Sequence, residues 1–112
     1  MFRKLATEQK VPVFVLSSAW PFPRIEHFRV LAKARAIENQ SYVIASNRVG
    51  KDDGIWFCGS SAIIDPRGVV IGATSADREE LIQADVSEKL VLSVRSRVTI
   101  VRSSPTGFIR IK

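Results

Sequence analysis

The sequence predicts an α/β layered fold with a mixed sheet. Three observations lead there. Up to Ala45, short apolar runs rich in β-branched residues alternate with helical periodicity, the order of elements found in layered folds. Farther along, two apolar runs flank Asp65-Pro66-Arg67-Gly68, where proline presets the turn and glycine tolerates positive φ, so the flanking strands form an antiparallel hairpin. The early strands also lack a polar face, so both their sides should be covered. This chain holds few helices, and something else must supply part of that cover.

Residues 1–9 read as a helix, with Phe2 and Leu5 on one side and Lys4 and Glu8 exposed; Lys10 and Pro12 end it, because proline removes a donor and restricts its predecessor. Val11 to Leu16 is a short apolar run between turn signals and reads as a buried strand. A loop with Trp20, Pro21 and Pro23 follows, then a helix over 25–39. Ile25, Phe28, Leu31, Ala32 and Arg35 fall near one of its faces, and Ala32, Ala34 and Ala36 would let another element pack closely. Tyr42 to Ala45 is a second buried strand, and Asn47 to Gly54 a polar turn. Trp56 to Ile64 and Val69 to Ala73 are the arms of the hairpin. Glu80 to Val86 reads as one more strand, and Ser87 as the cap of a helix over 88–97. The rest is an extended basic tail.

The chain has 112 residues, enough for one domain, and is 46% hydrophobic and 25% charged, ordinary values for a globular protein. No apolar run approaches the ~18 residues of a membrane span, and the N-terminus lacks the long apolar region of a signal peptide, which reads as a cytoplasmic chain. One cysteine, Cys58, leaves no internal disulfide or cysteine-based metal cluster, and one histidine, His27, no histidine-rich metal site. The net charge is +6. Arg95, Arg97, Arg102, Arg110 and Lys112 crowd the acid-free C-terminal end, the remainder being nearly balanced. No nucleic-acid-binding signature accompanies this tail, so it reads as a basic end and not as a nucleic-acid interface.

Several motifs together resemble the carbon–nitrogen hydrolases, the nitrilase superfamily. They are Ala19-Trp20-Pro21, then Arg24, His27, Leu31, Ala34-Arg35-Ala36-Ile37-Glu38-Asn39-Gln40, Tyr42-Val43, Asn47-Arg48-Val49-Gly50, Phe57, Gly59, Ser61 and Ile64-Asp65-Pro66-Arg67-Gly68. The likeness runs from about residue 2 to 97 and is most like the small-amidase branch, which includes ω-amidase-like enzymes. It implies an α-β-β-α sandwich, of which this chain would be the C-terminal part, and hydrolysis of a non-peptide carbon–nitrogen bond without metal or organic cofactor. In that chemistry a cysteine thiolate attacks the amide or nitrile carbon, a glutamate acts as base, and a lysine stabilises the developing charge. The family's nucleophile precedes the segment that Phe2-Arg3-Lys4-Leu5 resembles, so the resemblance places all three triad positions outside this chain, which is expected to be inactive alone. It further implies pairing of subunits through the helices 1–9 and 25–39. Of the family's C-terminal tail, Arg102 to Phe108 keeps only an outline.

Each polar candidate has a plainer alternative. Cys58, among aromatic residues and off the nucleophile position, reads as a small buried hydrophobe, since a reactive thiol needs a cation or helix N-terminus beside it. Lys33 and Glu38, five apart on one helix, project about 140° apart and would not converge with Cys58. Arg35 and Glu38, at i and i+3, can touch; with Asn39 and Asn47 they read as a structural network locking the helix to the strand and turn after it. Ser18, Ala19 and Trp20 lie beyond the carboxyl end of the first strand, where layered folds bind ligands. With His27 they are the candidate substrate contacts.

The reading is thus residues 1–97 as the C-terminal part of a carbon–nitrogen hydrolase domain and 98–112 as a basic tail. A small amide would be a partner only in the complete enzyme. The alternative is a non-catalytic interaction or oligomerisation module of the same fold.

Overall fold

The computed structural model describes residues 1–98. The elements are α1 (Phe2–Glu8), β1 (Val13–Ser18), a 3-10 turn (Phe22–Arg24), α2 (Ile25–Asn39), β2 (Tyr42–Asn47), β3 (Val49–Asp52), β4 (Ile55–Cys58), β5 (Ala62–Ile64), β6 (Val70–Ala73) and α3 (Glu88–Arg97). Four strands form one mixed sheet in the order β1-β2-β5-β6, and β3 and β4 form a separate two-stranded arm. β1 and β2 run parallel, with Val13 opposite Tyr42 and Ser18 opposite Asn47, because α2 supplies the crossover a parallel pair needs. β2–β5 and β5–β6 are antiparallel.

One face of the sheet carries the core. Phe14 from β1, Val43 and Ala45 from β2 and Ile64 from β5 pack under Phe28, Ala32 and Ala36 of α2 and Ala6 of α1. Small side chains on α2 bring its backbone near the sheet, as the alanine spacing predicts; Ala36 is fully buried. Phe2 meets Phe14 edge-on at 5.1 Å and joins α1 to this core. Leu31, expected on the packed face of α2, is exposed instead, since the helix buries Phe28, Ala32, Ala36 and Asn39 and the line through them passes Leu31 by.

The other face is covered only in part. Residues 82–83 cross it, with Ile82 and the Gln83 carbonyl within 4 Å of where a Cβ on Gly72 would lie, and the Ser87 N–H donates to the Tyr42 hydroxyl at 3.1 Å. Toward β1 nothing among the described residues lies over the sheet, and Val15 is 69% exposed.

Three readings of elements are corrected. Asn47–Gly54 is not a turn alone: Val49–Asp52 pairs with Ile55–Cys58 around Asp53-Gly54, both at positive φ (48° and 78°) as a two-residue hairpin turn demands. The run Trp56–Ile64 is two strands in two sheets, broken where Gly59 and Ser60 both turn left-handed. Glu80–Val86 forms no strand, because it runs across the sheet face and not along its edge. The Glu80 carboxylate turns back to accept from the Ser75 N–H and hydroxyl. The β5–β6 hairpin and the α3 cap stand as read: the Ser87 hydroxyl accepts from the Leu90 N–H at 3.3 Å. The tail beyond Val98, Arg102 to Phe108 included, lies outside the described residues.

Candidate functional site

The carboxyl ends of β1 and β2 lie side by side, and the loop after β1 leaves the sheet there. The Asn47 side chain holds that loop. Its Oδ1 accepts from the Trp20 N–H at 2.8 Å, and its Nδ2 donates to the Gly59 carbonyl at 2.9 Å and to Cys58 Sγ at 3.2 Å. The Trp20 carbonyl accepts from the Cys58 N–H at 3.0 Å. Ser61 continues the set: its hydroxyl accepts from the Asn47 N–H, and its own N–H donates to Thr74 Oγ1, each at 2.9 Å.

Of the candidate substrate contacts, Ser18 is half-buried, Ala19 exposed and Trp20 half-buried with its ring tilted against Phe28 at 6.1 Å. His27 is exposed and shares a shallow surface recess with Trp20, Arg24, Glu26, Val30 and Leu31; Ser18 and Ala19 do not line it.

The four residues of the expected network divide between two places. Arg35 pairs with Glu38 at 2.5 Å and also lies over the Phe2 ring, 5.5 Å from its centre, so it ties α2 to α1. Asn39, fully buried, donates to the Arg35 carbonyl at 2.8 Å. Asn47 belongs with Trp20 and Cys58 instead. Cys58 is fully buried, which keeps its sulfur from any substrate, and Lys33 is exposed on α2. Among the described residues no three of His, Cys, Asp or Glu gather as metal ligands would, and no helix is long and apolar enough to cross a membrane.

Sequence reasoning missed Arg95. Counted there with the basic end, it is 7% exposed. Its guanidinium donates to the carbonyls of Val11 (2.8 Å), Gln40 (3.2 Å), Lys10 (3.3 Å) and Asn39 (3.4 Å) and to Ser41 Oγ (2.9 Å). Burial lowers its pKa. The available signal was its spacing from Val91: the two lie at i and i+4 on α3, and both are buried.

The fold defines an α/β protein whose mixed sheet is layered by helices on one side and, among the described residues, largely open on the other. Residues 6–96 match the family model of the carbon–nitrogen hydrolases, and the chain belongs to that family. It is 36% identical over 94 residues to the 2-oxoglutaramate amidase of Bacillus subtilis, covering 84% of this chain and 36% of that one. To the omega-amidase YafV of Escherichia coli it is 40% identical over 79 residues, 70% of this chain and 31% of that one. The chain thus spans about a third of the length of these curated relatives. Among solved structures, XC1258 of Xanthomonas campestris, a CN-hydrolase superfamily protein, superposes with a TM-score of 0.78 at 28% identity, over 88% of this chain and 37% of that one.

Proposed function

We propose that this chain is the C-terminal part of an amidase that hydrolyses a small non-peptide amide, with 2-oxoglutaramate as the first substrate to try. The observation that carries the reading is the 36% and 40% identity to relatives named as amidases. In the complete enzyme the Glu-Lys-Cys triad lies in the remaining part. The thiolate attacks the amide carbon, ammonia leaves, and water releases the acyl group from sulfur. This chain supplies one sheet of the sandwich and one wall of the pocket, with Ser18, Ala19, Trp20 and His27 as contacts. It works in the cytoplasm, and without the triad it is inactive.

Ammonia release tests this. The 112-residue chain with 2-oxoglutaramate should release none, and the complete hydrolase carrying it should release ammonia until its nucleophilic cysteine is replaced. Release by the chain alone, abolished by Cys58→Ala, overturns the assignment of the triad; an inert complete protein overturns the amidase reading.

A second reading, an interaction module that pairs through α1 and α2, is favoured by Val30, Leu31 and Ile37, apolar yet exposed along α2. A stable dimer of the chain that unfolds cooperatively supports it, and aggregation opposes it.

A further inference from the structure

Both backbone polar groups of Trp20 are held from one place. Its N–H reaches Asn47 Oδ1 at 2.8 Å, and its carbonyl accepts from the Cys58 N–H at 3.0 Å. Asn47 holds the same strand end, through the Gly59 carbonyl at 2.9 Å and Cys58 Sγ at 3.2 Å. Asn47 is therefore the side-chain link between the loop after β1 and the end of β4. Its own backbone is fixed by pairing with Ser18 and by Ser61 Oγ at 2.9 Å.

The far side of this clamp does not give. Gly59 has φ +47°, and a Cβ there would lie 2.6 Å from Val49 Cγ1 and 2.9 Å from the carbonyl oxygens of Ser75 and Ala76. The clamp needs one acceptor and one donor on a single short side chain. Aspartate supplies the acceptor alone, leucine neither, and asparagine both.

We infer that Asn47 is a positioning residue for the amidase reaction, setting where Trp20 stands by holding its backbone and touching no reacting atom. The inference rests on the proposed function, in which Ser18, Ala19 and Trp20 form a wall of the substrate pocket. An interaction made with bound substrate and transition state alike affects KM and leaves kcat, so a displaced wall shows first in KM.

Hydrogen exchange on the 112-residue chain and kinetics on the complete hydrolase test it together. In Asn47→Leu, exchange at the Trp20 N–H should rise roughly tenfold to a hundredfold relative to the Val43 N–H, the loss expected for one buried hydrogen bond. In Asn47→Asp, whose Oδ1 still accepts but whose second oxygen meets the Gly59 carbonyl with no donor, Trp20 should keep only part of its protection. In the complete enzyme, Asn47→Leu should raise KM for a small amide about tenfold with kcat little changed, and Asn47→Asp should recover part of that loss. If Leu is not tolerated and Val43 loses protection, Asn47→Ser, too short to reach Trp20, gives the same comparison. Unchanged Trp20 exchange with Val43 protected overturns the inference, as does a fall in kcat with KM unmoved. If the unsubstituted enzyme hydrolyses no small amide, the proposed function fails, and the exchange data still decide whether Asn47 holds Trp20.

Discussion

Asp65 builds the β5–β6 turn with one carboxylate. Its side chain is almost wholly buried, Oδ1 accepts from the N–H groups of Arg67 (2.8 Å) and Val69 (3.1 Å), and Oδ2 takes the Arg67 guanidinium at 2.7 Å. Burial pushes this carboxyl up, but the Arg67 side chain and the two N–H groups together hold it below the ordinary carboxylate value. A carboxyl with a depressed folded pKa stabilises the fold above its unfolded pKa of about 3.9 and stops doing so as pH falls through the folded value. Thermal melts should therefore show the wild type losing stability below about pH 4, with Asp65→Asn losing less over the same window. At neutral pH Asp65→Ala should cost about 3 kcal/mol, read by denaturant unfolding, because it strands two N–H donors. The Asp-Pro-Xaa-Gly pattern made this turn legible, since every partner of Asp65 lies within four residues. The Asn47 clamp was not legible in the same way. Trp20 is 27 residues away and Gly59 is 12, and no local pattern states which loop will arrive there.

At the scale of elements, Arg95 joins three helices. α2 is capped by Gln40, left-handed at φ 48°, and Lys10, in the turn after α1, is left-handed too at φ 57°. The carbonyls of both accept from the one guanidinium. Helix C-termini carry partial negative charge, so a single cation from α3 serves the end of α2 and also holds the turn after α1, offsetting the backbone strain at both left-handed residues. Gln40 returns the contact, its Nε2 donating to the Val98 carbonyl at 2.9 Å. Arg95→Met keeps much of the apolar stem and removes every donor; it should destabilise the fold on the order of 3 kcal/mol and raise hydrogen exchange in α3 before the sheet. Arg95→Lys should fall between, since an ammonium cannot reach both places with a planar fork. If Arg95→Met unfolds at the wild-type denaturant concentration, the clasp adds nothing. Although the outer side of β1 is exposed at Val15, the early strands were legible from short apolar runs between turn signals, as the helices were from their period. β3 was not, because Val49-Gly50-Lys51-Asp52 carries no apolar alternation, although Asp53-Gly54 is a strong hairpin signal. The segment 80–86 misled through its apolar residues: Ile82 lies over the sheet face at Gly72 and does not extend an edge, while Leu81 and Val86 are exposed.

Two of the apolar regions exposed among the described residues lie on opposite sides of the same sheet. One is the open face around Val15; the other is the outer side of α2, where Val30 is 61% exposed and Leu31 and Ile37 are also in solvent. If the chain is one layer of an α-β-β-α sandwich, the two have different destinations: the sheet face meets a second sheet of the same enzyme, and the helix face meets a second subunit. Charge placed on each separates them. Burying a lysine unpaired costs several kcal/mol, against the ~1.5 kcal/mol or more that a buried valine contributes. Val15→Lys should make the isolated chain more soluble and prevent the complete enzyme from folding. Val30→Lys combined with Leu31→Lys should leave the complete enzyme folded and shift it toward monomer. Sedimentation velocity and circular dichroism on both variants distinguish the two roles. A Val15→Lys enzyme that folds as well as wild type would show that no second layer covers β1. A double variant that remains a dimer would move the subunit interface away from α2.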